Sequence, residues 1–320
     1  MTIETTLYGM RWRTRLPLTV AAVGAACFAY GVAVERTRWT LRRFDVPVLA
    51  PDAEPLRILH ISDLHMLPDQ RSKQEWIRGL AALDPDFVAL TGDNLSSPDA
   101  VPAVVHALQP LLDRPGAMVF GSNDYYGPIP KNPFVYFNAK HKRQIGPELP
   151  WQDLRDVLAA SGWEDLTNRR TSIVAGGRSI ELSGLDDPHL KLDDYRAVAG
   201  PVDPVADLHL GLVHAPEPRV LDQFARDGYD LLLCGHTHGG QVCVPYYGAL
   251  VTNCGIDRER VKGAHRYSGD TWLHVSAGMG TSPYAPFRFA CPPEASLLTL
   301  VPKRESAARD TRAREVAGVS

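Results

Sequence analysis

The sequence predicts an α/β fold that follows an N-terminal membrane-spanning helix. Three observations support this prediction: apolar runs alternate with helical stretches, a charge-free stretch lies near the N-terminus, and acidic and histidine side chains follow the apolar runs. Strands that alternate with helices are typical of βαβ units and of a mostly parallel sheet. The first strands are predicted at 56–61, 86–90 and 117–120, with helices at 72–83 and 99–112.

Residues 16–34 contain no charged side chain and are predicted to form a transmembrane anchor. A stretch of about 19 residues is roughly long enough to cross a bilayer as a helix. Arginines flank it on both sides, so the positive-inside rule does not decide which side of the cell membrane holds the domain. A secretory signal is the alternative, because Ala29, Gly31 and Ala33 resemble a cleavage site, but signal cores are typically shorter.

The rest of the chain is divided by composition. A basic segment is predicted at 1–15, a proline-rich linker at 35–55, a folded domain at 56–302 and a disordered, charged tail at 303–320. Within the domain, the pattern continues with a helix at 151–160, a hairpin around Gly176-Gly177 and a strand–helix–strand unit at 208–234. Two late strands, at 272–275 and 296–301, are assigned to a second sheet.

Composition excludes little beyond nucleic-acid binding. The 34 basic and 37 acidic residues give a net charge of −3, which argues against binding of a nucleic-acid polymer. The five cysteines include no CxxC pair and are interpreted mainly as small buried hydrophobic residues. A Cys243–Cys254 bridge stays open at this point.

Six side chains that can bind metals each follow a strand-like run. Open α/β sheets place their sites at the carboxyl ends of parallel strands, so these side chains are expected to converge. On an extended segment, side chains at positions i and i+2 point to the same face, so each i, i+2 motif would present two ligands to one metal ion. The six residues are Asp63, His65, Asp93, His214, His236 and His238.

These motifs resemble the calcineurin-like metallophosphoesterase superfamily. Its pattern D-x-H, G-D, H and G-H-x-H is matched in order by residues 63–65, 92–93, 214 and 235–238. Phrases at 278–282 and 286–294 are similar to a membrane-associated bacterial branch of the superfamily. The resemblance implies a four-layer α/β/β/α metallophosphoesterase sandwich and the hydrolysis of phosphoesters.

The resemblance also implies two divalent metal ions bridged by Asp93. Asp63, His65 and His238 would complete the first site, and His214 and His236 would bind the second ion. Mixed imidazole and carboxylate ligands suit Mn²⁺, Fe or Zn²⁺ better than Mg²⁺ or Ca²⁺. A water made acidic by both ions would attack phosphorus, and the ions would neutralise the developing charge.

One motif departs from the family pattern. Where the family has G-N-H-[DE], this chain has Gly121-Ser122-Asn123-Asp124. In a strict register Ser122 replaces a metal-binding Asn and Asn123 replaces the His that assists the leaving group. In a register shifted by one residue, which we prefer, Asn123 remains a metal ligand and Asp124 takes the place of the His. Losing a general acid typically costs about 10²–10⁴-fold for a poor leaving group.

Three replacements for that acid stay open: proton donation by Asp124, a contribution from His141, or a substrate with a good leaving group. The loop at 125–150 is long and rich in aromatic residues, which is typical of a lid or a binding loop, although self-packing explains it nearly as well. Arg288 is a candidate phosphate contact, with a surface salt bridge as its alternative.

The leading prediction is a membrane-anchored, dinuclear-metal phosphoester hydrolase that acts on a lipid-linked or cell-envelope phosphoester. A phosphodiesterase for a soluble, cyclic nucleotide is the alternative within enzymes. A metal-binding but inactive interaction protein is the alternative from another class, because Gly121–Asp124 is altered.

Overall fold

A computed structural model describes residues 4–130 and 145–303, with residues 4–16 as backbone only. The helices are α1 (Glu4–Ala33), α2 (Arg71–Gly79), α3 (Val101–Leu108), α4 (Ser122–Tyr125), α5 (Trp151–Ala160) and α6 (Pro218–Asp227). The strands are β1 (Thr40–Leu49), β2 (Leu56–Ile61), β3 (Phe87–Thr91), β4 (Gly116–Val119), β5 (Glu164–Asp165), β6 (Arg169–Ala175), β7 (Arg178–Leu185), β8 (Leu208–Val213), β9 (Leu231–Cys234), β10 (Cys243–Val244), β11 (Gly248–Ala249), β12 (Gly263–Ser268), β13 (Thr271–Val275) and β14 (Glu294–Pro302).

Two six-stranded sheets form the centre of the domain. The first has the order β1-β14-β2-β3-β4-β5, and its strands β2 to β5 run parallel. The second has the order β12-β13-β9-β8-β7-β6, in which β13, β9, β8 and β7 run parallel. The carboxyl ends of β2, β3, β8 and β9 carry the predicted ligands. The βαβ prediction is confirmed.

Buried apolar side chains separate the molecule into four layers. One cluster lies between the sheets and includes Ile58, Ala89 and Leu210. The helices α2, α3 and α5 cover the other face of the first sheet, and α6 covers the second sheet. The predicted α/β/β/α sandwich is therefore confirmed.

Helix α6 shows how the local sequence sets these layers. Pro218 occupies its first turn, where the missing N–H costs nothing, and Gly228 ends it with a φ of 100°. Val220 and Leu221 lie four and three residues before Phe224, and all three face the second sheet.

The prediction of a linker at 35–55 is wrong at residues 40–49. Thr40–Leu49 form β1, which pairs in parallel with β14 at the edge of the first sheet. The late strand β14 consequently belongs to the first sheet, whereas β13 lies in the second sheet as predicted. The tail after residue 303 lies outside the described residues.

Helix α1 is the one described helix that is long and apolar enough to cross a membrane. The candidate span is Pro17–Thr37, with a mean hydropathy of 1.8, and only 6% of it is buried in the protein.

The predicted hairpin around Gly176-Gly177 is formed by β6 and β7. The five cysteines are free thiols, so the Cys243–Cys254 bridge is not formed.

Two histidines are buried between the sheets. His60 Nδ1 lies 2.8 Å from His274 Nδ1, and His60 Nε2 lies 2.8 Å from Thr91 Oγ1. Burial lowers the pKa of His60 from 6.5 to about 3 and also lowers the pKa of His274. Both side chains are therefore neutral in the folded protein at ordinary pH.

This burial predicts a stability loss in acid. Between pH 6.5 and pH 3 the unfolded chain protonates His60 while the folded protein does not, so the free energy of unfolding falls as the pH decreases. Each such histidine contributes about 1.4 kcal/mol per pH unit. We expect His60→Gln, which does not titrate, to reduce the pH dependence of urea unfolding by that amount between pH 6 and pH 4. An unchanged slope would contradict the buried, neutral state.

Candidate metal centre

Tight turns bring the predicted ligands together at the carboxyl edge of the two sheets. Five of these residues have a positive φ, between 40° and 70°, although none is glycine. Non-glycine residues in this region cost free energy and cluster at functional sites. They are Asp63, His65, Asp93, His236 and His238.

The first cluster consists of Asp63, His65 and His238, whose candidate ligand atoms lie within 4.8 Å of one another. The Nε2 atoms of His65 and His238 are 3.2 Å apart. His238 Nε2 is 3.7 Å from Asp63 Oδ1. Two imidazoles and a carboxylate thus converge on one point that can hold a cation.

The second cluster consists of Asp93, His214 and His236, again within 4.8 Å. His214 Nε2 lies 3.3 Å from both Asp93 Oδ1 and His236 Nδ1. All three residues are buried, so a cation there would be largely shielded from solvent.

Asp93 joins the two clusters. Its Oδ1 faces His214 of the second cluster, and its Oδ2 lies 3.7 Å from His65 Nε2 of the first. A carboxylate with one oxygen toward each cluster is what two neighbouring cations need for a bridge. The geometry therefore supports the bridging role that the resemblance implied.

Backbone carbonyls orient two of the imidazoles. His214 Nδ1 lies 2.7 Å from the Thr91 carbonyl, and His236 Nε2 lies 3.3 Å from the Asn253 carbonyl. A carbonyl only accepts, so each of these nitrogens carries the hydrogen and the opposite nitrogen is left for a metal.

The Asp93 carboxylate raises the pKa of His214 against the effect of burial, whereas the pKa values of the other three histidine ligands are governed by burial. Burial lowers the pKa of His65 to about 4 and the pKa values of His236 and His238 well below 6.5. Neutral imidazole is the form that binds metals, so the folded protein holds these side chains ready for a cation.

Asn123 lies beside Asp93. Its backbone N–H donates to Asp93 Oδ1 at 2.7 Å, and its side-chain Nδ2 donates to Asp93 Oδ2 at 2.6 Å. The carboxamide is therefore at the edge of both clusters, where rotation about its last bond would turn the oxygen toward a cation. This position supports Asn123 as a further ligand.

The proton donation predicted for Asp124 is not supported. This side chain is fully buried, and its two oxygens accept hydrogen bonds from the backbone N–H groups of 93, 94, 95 and 121 at 2.7–3.2 Å. Burial raises the pKa of Asp124 to about 7, while the amides of Gly121 and Asn94 lower it. Asp124 accepts from the Gly121 N–H that begins α4 and from the amides of the 93–95 loop, so it fixes two site loops together.

This structural role predicts the effect of Asp124→Ala. Four buried N–H groups would lose their acceptor, which should lower the free energy of unfolding by about 3 kcal/mol. Thermal unfolding followed by circular dichroism measures that loss. We expect activity to fall equally on good and poor leaving groups; a loss confined to poor leaving groups would instead restore Asp124 as an acid.

His189 is a site residue that the sequence analysis missed. It follows β7, its ring centroid lies 4.6 Å from that of His236, and it is exposed at the rim of the second cluster. The strand-end rule applied to β7 would have singled it out. His141 and most of the aromatic residues of the predicted lid lie outside the described residues.

Arg288 does not have the predicted place of a phosphate contact or a surface ion pair. It is fully buried, and its guanidinium donates to the carbonyls of Ala277, Gly280 and Cys291 at 2.7–3.2 Å. One of its terminal nitrogens also lies 3.2 Å from His238 Nδ1. Arg288 therefore holds the loop at 277–280 together and contacts the ring of one ligand of the first cluster.

This fold and these two clusters define the class of the protein. The calcineurin-like phosphoesterase family model matches residues 56–240, more than half of the chain. The chain belongs to this family of phosphoester hydrolases, which use a dinuclear metal site.

Curated relatives extend the similarity over most of the chain. The metallophosphoesterase YkuE of Bacillus subtilis is 28% identical over 75% of this chain and 76% of its own length. The phosphodiesterase YaeI of Escherichia coli is 27% identical over 90% and 98%. The UDP-2,3-diacylglucosamine pyrophosphatase LpxG of Chlamydia trachomatis is 23% identical over 83% and 88%. The predicted membership of a bacterial metallophosphoesterase branch is confirmed.

Proposed function

We propose that the protein is a membrane-anchored, dinuclear-metal hydrolase of lipid-linked or cell-envelope phosphoesters. The observation that carries the metal part is Asp93, whose two oxygens face two separate ligand clusters. The donors are imidazole nitrogens, carboxylates and one carboxamide, which suit Mn²⁺, Fe or Zn²⁺.

The residues of this chain hold and orient the reacting groups. When bound, two divalent cations supply Lewis acidity and lower the pKa of water toward neutrality. Asp63, His65 and His238 would hold the first cation, and His214, His236 and Asn123 the second, with Asp93 shared. The fixed tautomers of His214 and His236 keep the donor nitrogens in place for the transition state.

His189 is the described side chain that we propose for the leaving-group side. Asn123 donates a hydrogen bond but does not supply a proton, and Asp124 is fully engaged with backbone amides. The exposed ring of His189 next to His236 can donate a hydrogen bond to the departing oxygen.

Two observations support a lipid-linked substrate. Helix α1 would keep the domain at a membrane, and LpxG, by its name, acts on a diacylated sugar nucleotide. The alternative, a phosphodiesterase for a soluble cyclic nucleotide, is supported only by the name of YaeI, which specifies no substrate.

A substrate panel tests this function. The full-length protein in detergent is stripped with a chelator, reconstituted with Mn²⁺, Fe²⁺ or Zn²⁺, and assayed on aryl phosphodiesters, cyclic nucleotides and lipid-linked pyrophosphates. We expect metal-dependent turnover, with the highest kcat/KM on a lipid-linked substrate. Preference for a cyclic nucleotide would select the alternative, and absence of turnover on every substrate would contradict the proposal.

A further inference from the structure

A short hairpin displays aromatic side chains to solvent. Strands β10 and β11 pair antiparallel, and the turn between them carries Tyr246, which is fully exposed, and Tyr247, which is 60% exposed. Tyr246 has a φ of 69°, a conformation that is a true outlier for a bulky residue. Strained backbone residues cluster at functional sites. Because the Tyr246 side chain is fully exposed, packing within the protein does not explain its strained backbone, and we interpret it as a contact residue.

Hydrogen bonds fasten this hairpin to the segment at 285–289. The Cys243 N–H donates to the Phe289 carbonyl at 2.8 Å. The Gln241 side chain donates to the carbonyls of Ala285 and Phe287, both at 2.9 Å. These hydrogen bonds hold the hairpin against the segment at 285–289, so the two have a fixed position relative to each other.

The same segment packs against the end of α1. Phe287 stacks on Phe28 with ring centroids 5.3 Å apart, and the Arg288 N–H donates to the Gly31 carbonyl at 3.4 Å. Gly31 is required there, because a Cβ would overlap the ring of Phe287. Glu35, which is buried, accepts a 2.6 Å hydrogen bond from the Cys291 N–H.

No flexible linker separates α1 from the domain, since β1 begins at Thr40 within the first sheet. Phe28 and Gly31 lie in the half of the candidate span Pro17–Thr37 that is nearer the domain, so the segment that carries the hairpin lies beside the domain-side end of the span.

We propose that the hairpin is a second membrane contact, in which Tyr246 and Tyr247 insert into the headgroup region of the phospholipid bilayer that α1 crosses. This inference rests on the proposed membrane position of α1. Tyrosine is enriched at membrane–water interfaces because its ring is apolar and its hydroxyl remains hydrated. Arg258, whose guanidinium lies 4.6 Å from the centroid of Tyr247, brings a positive charge to the level of the lipid phosphates.

The contact would set the orientation of the active site. Only four residues separate His238 from Cys243, the first residue of the hairpin, and the Cys291 thiol contacts the His238 carbonyl. A hairpin held in the headgroups and a helix held in the bilayer give the domain two attachment points. The first cluster would then lie against the membrane surface, where a lipid-linked phosphoester is presented.

Photocrosslinking of the full-length protein in phosphatidylglycerol nanodiscs tests this contact. The photoreactive residue p-benzoylphenylalanine replaces Tyr246, Val23 of α1 or Val205 in three separate variants. Val205 is 84% exposed and precedes β8, at the edge of the sheet opposite to the site, so it is the matched exposed control. Mass spectrometry then counts the phospholipid adducts at each position.

We expect adducts at 246 and at 23 to exceed those at 205 by at least about tenfold. Adducts at 23 without adducts at 246 would overturn the hairpin contact and leave the anchor intact. Protein–protein adducts at 246 in place of lipid adducts would assign the hairpin to a second copy of the chain and overturn the proposal. Adducts at neither position would overturn the anchor as well. None of these readouts requires turnover.

Discussion

Asp93→Asn is expected to lower the turnover of an aryl phosphodiester by about 10³-fold or more while the protein remains folded. The carboxylate faces both clusters, and its oxygens lie 3.3 Å and 3.7 Å from His214 and His65. A neutral amide offers only one oxygen and no charge to hold two cations together. Turnover with saturating Mn²⁺ measures the loss.

A carboxylate outside the site is the matched control. Asp222 accepts a hydrogen bond from Tyr267 at the exposed face of α6, so Asp222→Asn makes the same chemical change there. We expect this variant to retain full activity. Equal losses in the two variants, or an active Asp93→Asn enzyme, would contradict the shared-ligand role.

His189→Ala is expected to lower turnover of an alkyl phosphoester by about 10²-fold, with little change for a nitrophenyl ester. A nitrophenolate leaves without help, whereas an alkoxide needs a donor at the departing oxygen. The ratio of the two rates separates a leaving-group role from general damage. His106→Ala is the control, because His106 is exposed and pairs only with Glu75 among the described acidic groups.

A rescue experiment tests the same explanation from the other side. Imidazole added to the His189→Ala enzyme supplies the missing ring from solution and leaves every proposed metal ligand in place. We expect it to recover part of the rate on the alkyl ester and to change the nitrophenyl rate little. A loss in His189→Ala that is the same for both esters would reject the leaving-group role of His189.

The sequence predicted the site residues most accurately where each ligand directly follows a strand in the chain. The pairs Asp63/His65 and His236/His238 follow buried strands, and the strand-end rule placed them correctly at one edge of the sheets. Burial of whole strands explains why this worked, because continuous apolar runs leave few alternative registers.

Long-range pairing was not predictable in the same way. β1 pairs with β14, more than 250 residues later, and the prolines at 47, 51 and 55 made the segment resemble a linker. Arg288 was misplaced for a different reason. Its carbonyl partners lie within 11 residues along the chain, but they surround the guanidinium only when the connection between β13 and β14 folds back on itself.

Asp124 was a different kind of error. Asp124 lies three residues after Gly121, the spacing at which an acidic side chain can bond back to the N–H at the start of a helical turn, as its Oδ2 does here. Comparison with the family motif favoured a catalytic interpretation instead. Local hydrogen-bonding requirements decided the position of this side chain.

Metal stoichiometry, measured together with turnover, tests the central claim most directly. The stripped full-length protein is titrated with Mn²⁺ or Zn²⁺, and bound metal is counted by mass spectrometry while aryl phosphodiester hydrolysis is followed. The two clusters joined by Asp93 predict two bound ions per chain, with turnover that appears as the second ion binds. A single bound ion at full activity, or two bound ions without turnover, would contradict a two-metal hydrolase.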